Sequence, residues 1–458
     1  MSSVNSTIEW MTRRGTLSSI VLAYVYAGLL VAGPWIFTVI GITGLSGMNC
    51  TGECNQLPLF RSIVIYNSMF ALVVTSPIAF LSGRYVSGEL FRGRTNGVFF
   101  ALTASLAMFC LITVATAAPF YMFATTLSAP AQFAAVQNAF LIGVSWLLLP
   151  FLRVITGHNV VLLAFGANAA AMIVLGQILA QPSAELLLAC FNAAFTLTNA
   201  ILIGTLVRRF GTCLQVDRAS LTYSPWQWEL PAAGLAYAVG IWADKVIMWL
   251  CAPSGGLIVA GALKTMPAYD TAMFWAQLAS IPVVAVAFVH VETRFSKLFH
   301  RFYGRLEHQA SRRELVSAIE RLRAFVISNV AGLFVALSIV ATMMMLLSFV
   351  FMHDLGLRPT YMGILRASLL AMAFHASAMF CFLFLMYFDL RRQALLIVGL
   401  YAMLNIILTF AFLPLGETMY GFGNMIAAAA TFAVAFTVLL RELPWLHYHA
   451  FITNNTSI

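Results

Sequence analysis

From Thr16 to Leu45 the chain runs without one charged side chain, and eleven further predominantly apolar stretches follow it. A helix rises 1.5 Å per residue, so roughly 20 apolar residues cross the ~30 Å hydrocarbon of a bilayer. Hydrocarbon gives the backbone no hydrogen-bond partners, which leaves helices and closed barrels as spanning structures, and runs of this length favour helices. The spans fall near 16–45, 62–83, 97–118, 131–152, 158–180, 184–207, 230–250, 267–291, 325–350, 360–387, 393–414 and 419–440. Only 9% of the residues are charged, against about 25% in soluble domains. The fold class read from this pattern is an all-α integral membrane protein with about twelve transmembrane helices. The start, with Arg13 and Arg14, has the basic character of a signal peptide, but the apolar run behind it is too long for a cleaved segment, so a retained first span is expected.

The formal net charge of +9 raises nucleic acid as a partner, yet the basic residues are dispersed among the loops and not gathered into one domain. They alternate instead. Arg13 and Arg14 precede the first span, and Arg84, Arg92, Arg94, Arg153, Arg208, Arg209 and Arg218 follow the second, fourth and sixth. Arg294, Lys297, Arg301, Arg305, Arg312, Arg313, Arg321 and Arg323 lie between the eighth and ninth, and Arg391, Arg392 and Arg441 complete the same side. By the positive-inside rule that side is the cytoplasm, with both termini on it. Arg61, Lys264 and Arg358 fall on the opposite face, while Lys245 and Arg366 fall inside spans.

Twelve spans with both ends inside divide into two sets of six in the same orientation, which permits a parallel duplication. Gly33–Ile40 and Gly240–Ile247 share G-x-W-x-x-x-V-I, and Tyr66 and Pro77 parallel Tyr269 and Pro282. Chance similarity among apolar helices competes with this reading. The expected organisation is a tail at 1–15, an N-lobe at 16–207, a linker at 208–229, a C-lobe at 230–440 with a cytoplasmic amphipathic segment at 293–324, and a tail at 441–458.

If the match holds, Asp244 and Lys245 replace Phe37 and Thr38 of the first lobe. An ionisable residue near a bilayer centre costs on the order of 3 kcal/mol or more and usually faces a watery cavity or a partner. Lys245 has a bland alternative, since its long stem can snorkel to the outer interface. Asp244 has no such stem. Adjacent side chains on a helix point about 100° apart, so the two are not expected to pair. Arg366 and Lys264 are the cations expected to be available to Asp244, and Asp270 reads as a dipole-favoured residue in the first turn of the eighth helix.

Pro34, Pro77 and Pro282 sit inside spans, where each removes a helical hydrogen bond, and are candidate hinges of a rocking transporter, although static membrane helices carry prolines too. In E-T-R-F-S-K-L-F-H-R-F-Y-G-R-L-E, Phe295, Leu298, Phe299, Phe302 and Leu306 recur at helical spacing beside Arg294, Lys297, Arg301 and Arg305. That is a basic amphipathic helix on the inner leaflet, either an interfacial connector or a docking surface for a cytoplasmic partner. S-R-R-E from Ser311 to Glu314 has capping-box spacing and opens a second helix. Cys50 and Cys54, in C-T-G-E-C of the first outward loop, form either a disulfide-closed turn or two thiols; no histidine nearby argues for a metal.

No P-loop, H-E-x-x-H or G-x-S-x-G occurs, so neither ATP use nor a familiar catalytic site is read, and no cofactor or metal is called for. His375, a lone histidine in the tenth span, reads as structural, with an intramembrane acyltransferase as the alternative.

Four strings carry a resemblance: A-Y-V-Y-A-G-L-L-V-A-G-P-W (Ala23–Trp35), W-E-L-P-A-A-G-L-A-Y-A-V-G-I-W-A-D-K (Trp228–Lys245), P-A-Y-D (Pro267–Asp270) and V-E-T-R-F (Val291–Phe295). Together they resemble the Pel exopolysaccharide transporter family, within the multidrug, oligosaccharidyl-lipid and polysaccharide flippase superfamily. Arg294 departs from the pattern, which has an acidic residue there. The resemblance implies a twelve-helix, two-lobed subunit of the bacterial inner membrane that is not an enzyme. Its implied partners are a cytoplasmic glycosyltransferase, a helical-repeat subunit and a cyclic-di-GMP receptor, and its implied cargo is a polymer rich in N-acetylgalactosamine. On that reading Trp35 and Trp242 stack on pyranose rings, and Asp244, Lys245 and Arg366, with Lys264 and Asp270 nearby, line the path. The rival is an ion-coupled antiporter of small cationic drugs with Asp244 as its carboxylate.

Overall fold

The computed structural model describes residues 16–47, 56–91, 93, 95–155, 159–178, 183–212, 227–253, 255–307, 311–350 and 361–449. Cys50 and Cys54 lie outside them, as does Arg358. The described residues are helical almost throughout: α1 (Leu17–Gly47), α2 (Leu57–Phe91), α3 (Asn96–Pro119), α4 (Ala129–Ile155), α5 (Asn159–Ile178), α6 (Ala184–Phe210), α7 (Glu229–Cys251), α8 (Pro267–His290), α9 (Ser296–Glu307), α10 (Arg312–Val350), α11 (Met362–Tyr387), α12 (Arg391–Phe412) and α13 (Phe422–Glu442). Eleven of them are long and apolar enough to cross a membrane, and α1 adds a twelfth long helix of 31 residues. Most spans are apolar around their whole circumference, as expected of helices that meet lipid on one side and protein on the other.

The chain divides into two compact units. The first unit holds Ala32–Trp242 with Gly256–Thr265, and the second holds the chain through Val31, Ala243–Gly255 and everything from Met266 onward. In the first unit α4 packs between α2 and α6. Amide side chains join these helices: Tyr121 Oη donates to Asn67 Oδ1 at 2.7 Å, Asn67 Nδ2 to Asn138 Oδ1 at 2.9 Å, and Asn138 Nδ2 to Asn192 Oδ1 at 2.7 Å. A second tie, Ser145 Oγ to Asn199 Oδ1 at 2.7 Å, lies further along α4 and α6. Lipid supplies no hydrophobic drive between helices, so such pairs, worth about 0.6–2 kcal/mol each, help fix which helices meet.

The segment after α7 forms a small antiparallel hairpin, β1 (Leu257–Ala260) and β2 (Leu263–Thr265), turning through Gly261 at a φ of +61°. The hairpin belongs to the first unit and is fastened there. Tyr66 Oη donates to Lys264 O at 2.8 Å, and Ala262 N donates to Ala124 O at 2.8 Å.

In the second unit α11 packs on α8, α10 and α13, and α12 packs on α13. Small residues bring α12 and α13 together: a Cβ built on Gly423 would stand 2.7 Å from the Leu408 carbonyl and the Thr409 nitrogen. The expected capping box is present, with Ser311 N donating to Glu314 Oε2 at 3.1 Å and Glu314 N to Ser311 Oγ at 3.4 Å. The helix it opens does not stop before the ninth span but runs on to Val350 as one 39-residue rod, because no proline interrupts it. Helix α9 continues α8 through a π-helical turn at Val291–Phe295. Its apolar stripe, expected on the leaflet, lies on protein: Phe295 and Phe302 are fully buried, and the Phe295 ring meets Phe325, Phe384, Tyr387 and Phe388.

Candidate functional site

The polar centre of the second unit is built on α7, where the helix passes from the first unit into the second between Trp242 and Ala243. Asp244 is completely buried. Every hydrogen-bond contact to its carboxylate comes from a donor. Tyr269 Oη, one turn into α8, donates to Oδ2 at 2.6 Å. Asn405 Nδ2 of α12 approaches Oδ1 at 3.4 Å, and Asn424 Nδ2 of α13 approaches Oδ2 at 3.4 Å. Lys245 Nζ stands 3.3 Å from Oδ1 and 3.4 Å from Oδ2.

That ion pair corrects the expectation that Asp244 and Lys245 would not meet. Their Cβ vectors diverge, but the four-carbon lysine stem is long enough to curl back over the neighbouring carboxylate. The lysine side chain is itself only 12% exposed. A pair this deep exchanges two desolvation costs for one strong attraction and holds only where further hydrogen bonds satisfy the remaining lone pairs. Tyr269 and the two asparagines supply them.

A second layer orients the first. Tyr401 Oη donates to Asn424 Oδ1 at 2.9 Å, and Thr409 Oγ1 donates to Asn405 Oδ1 at 3.2 Å, which leaves each amide's NH2 group turned to the carboxylate. The His375 ring lies 4.5 Å from that of Tyr401, and its buried Nδ1 has no hydrogen-bond partner among the described residues. Asp270, in the first turn of α8, accepts from Trp249 Nε1 at 2.9 and 3.1 Å and from Met266 N at 3.1 Å. It therefore caps its own helix and anchors the last turn of α7 as well.

The remaining candidates lie elsewhere. Arg366, on α11, places its guanidinium 4.6 Å from the centre of the Phe349 ring instead of on Asp244. Lys264 is in β2 of the first unit, where its backbone holds Tyr66. Trp35 and Trp242 are half-buried in the first unit. Pro34, Pro77 and Pro282 lie within α1, α2 and α8, which run through them. Arg294 is on the π-helical turn and Lys297, Arg301 and Arg305 are on α9. Sequence reasoning missed Asn405 and Asn424 as members of the centre; the available signal was one asparagine within the apolar stretch of each helix. Among the described residues no group of three or more metal-binding side chains converges.

Residues 4–451 match the model of the PelG family, "Putative exopolysaccharide Exporter (EPS-E)". The chain belongs to the PelG family. No curated protein matches it by sequence. Solved structures of the multidrug MATE transporters and their wider MOP superfamily share its fold. An outward-facing MATE transporter aligns with a TM-score of 0.61 at 15% identity, covering 92% of this chain and 96% of that one. An inward-facing one aligns with a TM-score of 0.59 at 13% identity over 91% and 96%. A MOP superfamily transporter from Pyrococcus furiosus, described as having a binding pocket of reversed polarity, gives a TM-score of 0.57 at 14% identity over 93% and 95%. At these identities the likeness is one of fold. The family is described as one of exopolysaccharide exporters, and the eleven candidate spans among the described residues are those of a multi-pass membrane protein.

Proposed function

We propose that this PelG-family chain moves a growing, amino-sugar-rich exopolysaccharide of the Pel type, rich in N-acetylgalactosamine, from a cytoplasmic glycosyltransferase across the bacterial inner membrane. The observation that carries the reading is the family match over residues 4–451. The charge distribution supports an orientation with both termini in the cytoplasm. The chain performs no catalysis of its own and works with the glycosyltransferase and the other membrane subunits of a Pel-type complex.

In this reading Trp35 and Trp242 offer aromatic faces to pyranose rings, and Pro34, Pro77 and Pro282 are candidate hinges within their helices. Lys245 is the member of the buried pair with exposed surface, so it meets sugar hydroxyl or acetamido groups while Asp244 holds it in place. Arg366 contributes through its perch on Phe349.

The rival reading, an ion-coupled drug antiporter, requires Asp244 to take up and release a cation. Its carboxylate is instead enclosed by donors, one of them a tethered ammonium that repels cationic drugs. The test is secreted against cell-retained amino-sugar polymer in a deletion strain carrying the native chain or Asp244→Ala with Lys245→Ala at matched membrane abundance. Lost secretion with the glycosyltransferase still assembled supports the pair's place in the path; undiminished secretion removes the pair from it.

A further inference from the structure

The basic residues between α8 and the apolar part of α10 fall into two groups by height above the membrane. The apolar part of α10 begins at Phe325, just beyond Arg321 and Arg323. These two therefore sit at headgroup level, a layer about 5–8 Å deep on each side of the hydrocarbon. Arg312 and Arg313 open the same uninterrupted helix thirteen and twelve residues before Phe325, which places them about 18–20 Å above that residue at 1.5 Å per residue. Charge attraction to lipid headgroups is screened over about 8 Å at physiological salt.

Helix α9 returns to the same height. It packs along α10, with Phe302 fully buried and the Phe295 ring of the preceding turn on Phe325, and Arg305 Nη1 donates to the Glu314 carbonyl at 3.2 Å. That bond pins the end of α9 beside the first turn of α10. Arg301, Arg312 and Arg313 are exposed at this tip, with Arg305 half-exposed between them. Glu314 is exposed at the same tip, where its carboxylate accepts from the backbone N–H and the hydroxyl of Ser311 as the reciprocal partner of the cap. Glu307 is the other acidic residue of the tip. Two arginines in the first turn of a helix also stand at the positive end of its dipole, an unfavourable position for the isolated chain that an external anionic partner would relieve.

We infer that Arg301, Arg305, Arg312 and Arg313 form a docking tip for an acidic surface on the cytoplasmic glycosyltransferase, an inference that rests on the proposed function and its orientation. Lipid headgroups lie more than a screening length away from the distal arginines, so a macromolecule that stands off the membrane fits them better. The polymer supplies the reason for contact: a nascent chain passes from enzyme to transporter without loss only if the two are held together. Arg294, on the π-helical turn, Lys297, at the start of α9, and Arg321 and Arg323, on α10, form the membrane-proximal set that serves as the internal control.

The test uses the full chain in nanodiscs of neutral phosphatidylcholine and the purified glycosyltransferase as the probe, with binding followed by biolayer interferometry from 50 to 300 mM salt. Arg301→Glu, Arg305→Glu, Arg312→Glu and Arg313→Glu together should weaken binding at least tenfold and flatten its salt dependence, with the Arg→Gln set intermediate. The same changes at Arg294, Lys297, Arg321 and Arg323 should alter it less than threefold. Unchanged melting temperature and elution volume establish that each variant is folded. Undetectable binding of the native chain, or binding indifferent to the distal set, overturns the tip. So does binding that requires anionic phosphatidylglycerol discs and depends on the proximal set, which would assign the arginines to lipid. Secretion is scored separately: distal-dependent binding in a strain whose polymer export does not need this chain refutes the export reading and leaves the docking tip standing.

Discussion

Separating Asp244 from Lys245 by substitution should be far more damaging than removing both. In Lys245→Met the Asp244 carboxylate stays buried with Tyr269, Asn405 and Asn424 as its donors among the described residues, none of them charged. In Asp244→Asn the ammonium loses the carboxylate that it approaches at 3.3 Å. Stranding one charge of a buried pair costs about 3–5 kcal/mol. Taking 3 kcal/mol, each single variant loses about 10²-fold in its folding equilibrium. The double variant Asp244→Asn with Lys245→Met leaves no charge behind. It retains the amide's acceptor oxygen for Tyr269, so it should lie within about 1–1.5 kcal/mol of the native chain, a coupling energy of about 4.5–5 kcal/mol. The assay is reversible unfolding in mixed micelles, with membrane abundance as a cellular counterpart. Additivity within 0.5 kcal/mol would refute the ion pair and return Lys245 to a snorkelling role.

Three further outcomes follow from the packing. Gly423→Ala drives a methyl to 2.7 Å from the Leu408–Thr409 backbone, so it should destabilise by about 1–3 kcal/mol, read as a lowered melting temperature in detergent. Asn138→Leu cuts the amide chain at its middle, depriving Asn67 Nδ2 of one acceptor and Asn192 Oδ1 of its donor; a loss of about 1–3 kcal/mol is expected in the same assay, and no change would mean the ladder is not a stabilising element. Sodium should leave the melting temperature of the native chain flat beyond a general salt effect, whereas Lys245→Ala should gain stability with sodium as the vacated carboxylate binds the ion; an equal response in both chains would show that the ammonium is not the resident counter-ion.

The helix count was readable because the bilayer imposes it: a span needs a certain apolar length, and the runs beginning at Thr16 or ending at Val350 declare that length directly. The capping box at Ser311 and Glu314 was legible for a similar reason, since a local motif needs only local information. The hairpin at Leu257–Thr265 was not, because its stability depends on Tyr66 and Ala124, far back in the chain. The polar centre shows the same limit. Asp244 was visible as an anomaly, but its amide donors are 161 and 180 residues away in sequence, and nothing local distinguishes Asn405 or Asn424 from any other amide within a span. The lysine was misjudged through geometry: helical periodicity fixes where Cβ points, while a long flexible stem decides where Nζ arrives.

A carboxylate buried with its own lysine has a consequence for how work enters transport. An exchangeable coupling ion must bind one state of the protein more tightly than another and leave between them. Among the described residues the Asp244 carboxylate meets five N–H or O–H donor contacts, and Nζ of the neighbouring lysine, which cannot diffuse away, stands beside both its oxygens. Under the proposed function the remaining source of work is the cargo itself. A polymer still attached to its synthase advances by one sugar with each addition, and a transporter that holds a hydrated path open lets synthesis push it through. Strict alternation of two lobes would instead have to close on a chain that threads both sides. A bridge that locks the two units together therefore separates the cases: export that survives the lock means a conduit, and export abolished by it, with the glycosyltransferase still assembled, returns the molecule to alternating access and demands a coupling site other than Asp244.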